Sequence, residues 1–264
     1  NVGGSLRVWT GGVLSLSGGA VNTAALLNQC GTMSFGSGTV NVTSTGSNLG
    51  SAATFGDGSA SDSVLRLGYG SEATVNNLTL ASNGKLHLDG GSLTAATVNA
   101  SAGEIRWDGG DLHLTGGSST VPTGLSIPNF GTLAGTGTGN GKVNGAAQST
   151  ISVGTGLFTL GDASDAQGFN HQGLLEVGTG FLQVNSAGAV ELGSMTTMGV
   201  GGFLIAANGV KFGTGANFQG AGDVTGPVTQ DPGSVIEATG NLAMGDSSSE
   251  DGCSGNGILN ANDR

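Results

Sequence analysis

His87 and His113 stand in nearly the same phrase, LHLDGG and LHLTGG, with Asp89, Asp108 and Asp111 close by. If each phrase is a strand with inward leucines, both imidazoles point outward and lie one above the other. They are then donors of the type that hold zinc or another divalent ion. Their spacing matches no established ligand motif, and the competing reading is two exposed histidines on a polar face. The third histidine, His171, has no such companion. The same region carries the one dense mixture of charge, Glu104, Arg106, Asp108 and Asp111. A polysaccharide lyase or hydrolase needs such groups converging in a cleft. As outward residues of a strand around Ile105 they equally suit surface ion pairs of little energetic worth.

Other candidate chemistry is thinner. The tail GCSGNGILNAND from Gly252 echoes a calcium loop through Asn256, Gly257 and Asp263, but Gly252 has no side chain to offer at the first ligand position. Its counterpart GFNHQGLLEVGT from Gly168 lacks the final acid, so turn chemistry explains both. Asp57-Gly58, Asp89-Gly90 and Asp108-Gly109 read first as turns with positive φ, and calcium there would be weak. There is no GxSxG elbow and no GxxxxGK phosphate loop, and GTGTGNG at Gly135 belongs to a repeat. No catalytic, cofactor-binding or metal-binding residue is assigned. Asn41, Asn77 and Asn99 head glycosylation sequons. Tyr69 is the best outward aromatic for stacking on a sugar, whereas Trp9, Phe35 and Trp107 fall on inward positions.

These residues need a scaffold, and composition says which. The chain has 264 residues, of which 54 are glycine and 36% are apolar, with four prolines and no three-residue glycine period. This excludes collagen and argues for a packed core rather than disorder. Short apolar runs between Gly, Ser, Asn and Asp, without helical periodicity, indicate an all-β chain. A formal charge of −11 with seven basic residues excludes nucleic acid as a partner. No apolar run reaches the roughly 18–20 residues of a membrane span.

Residues 11–43 superpose on 83–115 without a gap, Leu14 on Leu86, Leu16 on Leu88 and Val40 on Leu112. What persists is an apolar-x-apolar triplet bounded by glycines, which is the side-chain period of a strand with one buried face. Leu86 to Leu112 and Leu14 to Val40 share a 26-residue step holding about three strand signals. That step predicts a parallel β-solenoid of about ten coils, right-handed by the usual crossover chirality. The second half has its own 84-residue repeat, with Thr150 meeting Ser234, and Leu133 parallels Phe218. The proline-bearing stretch 117–132 divides the chain into a solenoid at 1–116 and another at 133–264. Cys30 and Cys253 lie about nine coils or ~43 Å apart on this scheme, too far for a disulfide, so buried free thiols are expected.

Through SLRVWTGGVLSLSGGAV, GKLHLDGGSLTAATV and the pair LFTLGDASDAQG and GNLAMGDSSSEDG, nearly the whole chain resembles the repetitive secreted surface and matrix proteins of planctomycete-type bacteria. It resembles autotransporter passenger β-helices more loosely. The resemblance implies an extracellular, non-enzymatic structural or adhesive protein, a segment of a longer stalk, fibre or surface layer, and carries no catalytic residues. Expected partners are further repeats or other copies, end to end, and extracellular carbohydrate. The alternative is a polysaccharide-active or glycan-binding module on the same scaffold.

Overall fold

The structure is a computed structural model that describes residues 2–245 and 253–261. Among them every regular element is a strand, and the strands stack in parallel as a β-solenoid of about 12 turns. No helix among the described residues is long and apolar enough to cross a membrane. The chain forms two compact units, Asn1–Thr123 and Gly124–Arg264.

The first unit has three sides. On the first, Leu16 lies beside Phe35, Phe35 beside Phe55 and Phe55 beside Leu80. On the second, Val21, Val40, Leu65, Leu86 and Ile105 form a column. On the third, Ala73, Leu93 and Leu112 do the same. Each column is apolar because alternate residues of every strand point into the stack, and no coil can bury its inward residues alone. Phe35 and Phe55 show how closely tiers fit: their rings stack with centroids 4.6 Å apart and 12° between planes.

The register corrects the 26-residue coil. Leu14 pairs with Met33 and Leu65 with Leu86, steps well short of that length; only tiers with a longer loop reach it, as from Asn48 to Thr74. Leu86 is the partner of Ile105, while Leu112 is the partner of Leu93. The step from Leu86 to Leu112 is therefore one coil plus one side. The 72-residue likeness has the same origin, since Leu86 descends in register from Val21 on the second side rather than from Leu14 on the first. Shorter coils explain why there are about 12 turns and not ten.

The second unit also has three sides. Val143–Gly145, Phe169–His171, Val190–Leu192, Val210–Phe212 and Val228–Gln230 build one. Leu133, Ile151, Leu175, Thr196, Phe218, Ile236 and Leu259 run along another. Phe158, Leu182, Leu204, Val224 and Met244 line the third. The parallel between Leu133 and Phe218 is a real column. Thr150 leads through Leu174, Met195 and Asn217 to Val235, so the 84-residue likeness joins like sides four coils apart, one position out of register.

Corners demand residues without a β-carbon where one tier presses on the next. At Gly110, with φ of +86°, a Cβ would stand 2.1 Å from the Gly91 carbonyl oxygen. No L side chain fits there in that conformation.

Candidate functional site

The outward surface of the second side in the first unit gathers most of the chemistry. Pairing register sets Asn22, Asn41, Arg66, His87 and Arg106 in one outward column, and Val64, Lys85 and Glu104 in the next. Strand periodicity places them there, because each flanks an inward apolar residue of the core. The charges neutralise one another locally. Arg66 donates through Nε to Asp89, and Lys85 reaches Asp62 at 2.9 Å and Glu104 at 3.5 Å. Arg106 pairs with Asp108 at 2.7 Å. Asp62, whose carboxylate hydrogen bonds the ammonium, and the nearby Glu104 together hold Lys85 above its ordinary pKa. His87 is half-buried; desolvation keeps its pKa below the ordinary value, and Arg106 and Lys85 act in the same direction against the pull of Asp89 and Glu104.

The stacked histidines are corrected by this register. His87 pairs with Arg106 on the second side, and His113 pairs with Thr94 on the third. An offset of one coil plus one side makes them look superposed in the letters. Asp111 also belongs to the third side, where Ser92 donates to it at 3.1 Å. Glu104 and Arg106 are not partners, each being held by a group in its own neighbourhood. Among the described residues no three His, Cys, Asp or Glu side chains are close enough to hold a metal ion.

Gly58, Gly90 and Gly109 all have positive φ, the turn role expected of the Asp-Gly pairs. Of the calcium-loop residues, Gly252 and Asp263 lie outside the described residues; Asn256 donates its backbone N–H to the Gln230 carbonyl. Phe35 and Trp107 are core, but Trp9 is 60% exposed. Its strand ends at the inward Val8, and Trp9 opens the turn that follows, its carbonyl accepting from the Gly12 N–H. Cys30 and Cys253 are free, and both are exposed rather than buried: Cys30 sits in a corner with φ of +62°, and Cys253 lies in a short strand beside Val228. Of the sequon residues, Asn77 and Asn99 are exposed, whereas Asn41 is half-buried and donates to Asn22 at 2.5 Å.

Two arrangements escape the sequence. Asn83, 5% exposed, holds the loop 56–62 of a long coil. Its amide donates to the carbonyls of Gly36 and Ser61 and accepts from the N–H groups of Asp57 and Gly58. The Asn-Gly dipeptide it begins reads as an ordinary turn; the available signal is the extra length of that coil. The other is a notch where the second side meets the third, lined by Asn41, Val42, Thr43, Arg66, Tyr69 and Asp89. Its residues come from three tiers, and only the register reveals their meeting.

In the second unit His171 is 1% exposed, beneath Leu192 and above Gly145. Its Nε2 lies 2.9 Å from the Leu174 carbonyl and so carries the proton, while Nδ1 is buried without a partner. A Cβ on Gly145 would fall 2.0 Å from Nδ1, so only glycine leaves room for the ring. Burial depresses the pKa of His171, outweighing the Leu174 carbonyl, and the neutral ring is the folded form. The unfolded chain takes up the proton first, so the stability tied to neutrality is full above the ordinary histidine pKa of about 6.5 and declines as pH falls through that value towards the folded pKa. The melting temperature is expected to fall between pH 7.5 and 5. The difference between wild type and His171→Leu, followed by circular dichroism, should shrink across that range; a constant difference would refute the role.

No known family model matches the chain, and no curated protein or solved structure matches it.

Proposed function

We propose that this chain is a non-enzymatic structural or adhesive repeat segment of an extracellular stalk, fibre or surface layer. The supporting observation is that like side chains lie over like through successive tiers of each unit. Outward rows follow the same rule: Ser15, Ser34, Thr54, Thr79, Asn99 and Thr120 stand in one column of the first side. Such a stack gives length and stiffness with few charges, because each tier is paired and packed against the next. The densest charged cluster is engaged in exposed ion pairs, each worth little, which suits a surface better than an acid–base site.

Negative-stain micrographs of the purified chain over a range of concentrations test this. Rods that lengthen as concentration rises are expected. Compact particles of fixed size at every concentration, together with turnover of an acidic polysaccharide, would replace it with the enzyme reading. A glycan-binding role is favoured by one specific feature, the exposed Tyr69 beside Arg66 and Asp89.

A further inference from the structure

We propose that the notch at the corner of the first unit binds one pyranose ring of a neutral polysaccharide. This rests on the glycan-binding reading and not on fibre formation. Three observations carry it. Tyr69 is 92% exposed, an aromatic surface kept in water where the neighbouring tiers bury their large apolar side chains, among them Phe55, Leu65 and Leu88. Gly90 of the next tier leaves room beside the ring, since a Cβ there would stand 3.3 Å from Tyr69 Cδ2. A flat, accessible π-face with a polar tip suits the C–H face of a sugar, which is apolar and rimmed by hydroxyls.

The second observation is the polar complement beside the ring. Arg66 uses one N–H on Asp89, one of the five that a guanidinium carries, and a carboxylate has about four acceptor sites. A pair of this kind can receive and donate to adjacent hydroxyls at once. The third is size and charge. The notch measures about 250 Å³, below the ~300–1,000 Å³ of drug-sized sites, and accommodates a single ring. Arg66 is compensated by Asp89, and the chain carries a net charge of −11, so an acidic sugar gains nothing there and is repelled by the whole.

The test titrates the full chain with cellohexaose, mannohexaose and xylohexaose, and with hexagalacturonate as the acidic counterpart, by calorimetry and by the Tyr69 ring resonances. Saturable binding of at least one neutral oligosaccharide is expected, with a Kd of about 1 mM for a one-ring site. Tyr69→Ala should weaken it at least tenfold and Arg66→Gln severalfold, while Tyr69→Phe stays within about twofold because the stacking face is kept. Melting curves of the three variants should overlay the wild type, since both side chains are largely exposed. The proposal is overturned if no neutral oligosaccharide saturates, if Tyr69→Ala binds as wild type does, or if hexagalacturonate binds more tightly. Any of these leaves the fibre reading standing, because micrographs judge that independently.

Discussion

Phe55→Ala is expected to destabilise the first unit by about 3–5 kcal/mol, the range for deleting a buried aromatic ring. Phe55 is fully buried and stacks on Phe35 below while Leu80 packs above it. Truncation removes the ring's own burial and leaves a void that backbone hydrogen bonds on both neighbouring tiers keep from closing. A domain is stable by only about 5–15 kcal/mol, so the loss is a large part of the total and lowers the melting temperature by about 10–20 °C. Phe55→Leu refills most of the space and should cost about 1 kcal/mol. Denaturant unfolding followed by circular dichroism measures both. Equal stability of wild type and Phe55→Ala would mean that the tiers are not packed ring on ring.

Asn83→Ala should rank second, at about 2–3 kcal/mol, because it removes four hydrogen bonds at once, each worth about 0.5–1.5 kcal/mol net, with water replacing part of the loss where Asp57, Gly58 and Ser61 are exposed. The amide ties two carbonyls and two backbone N–H groups of two separate segments, Gly36 and the loop 56–62, at distances from 2.7 to 3.0 Å. Asp57, whose own carboxylate accepts from Ser59 and is held below the ordinary range by it, belongs to the same knot. Hydrogen exchange gives the specific readout: the amides of Asp57 and Gly58 should lose protection in Asn83→Ala while that of Ala81, bonded to Phe55, changes less. Asn83→Asp keeps the two acceptor contacts and loses the donors, so it should protect Asp57 and Gly58 in part. Uniform loss of protection throughout the unit would assign Asn83 a merely global role.

Inward and outward positions are largely legible in the letters alone. Alternation marks Leu86, Leu88, Leu112 and Leu114 as core, and they are buried; Tyr69 shares the parity of the inward Leu65 and Leu67 and is exposed because it stands in the turn after the strand Ser63–Gly68. The failures share a cause. Trp9 and Cys30 stand at corners, where alternation ends and local turn geometry decides which way a side chain faces. Asn83 looks like any Asn-Gly turn, because its importance comes from a loop that precedes it by a whole coil. The candidate site suffers most. Its members, Asn41, Arg66, Tyr69 and Asp89, are adjacent only across tiers.

What the sequence determined by itself is the class of fold, a parallel stack of short strands with a fixed inward face, because apolar-x-apolar triplets between glycines admit little else. What only the tertiary structure decided is which triplet lies on which. All three sides of a coil present the same apolar pattern to a shared core, so a step of one coil and a step of one coil plus one side look alike in the letters. Backbone hydrogen bonds between tiers break that degeneracy, setting Leu86 on Ile105 and Leu93 on Leu112, and with it they separate His87 from His113 and bring Arg66 to Asp89.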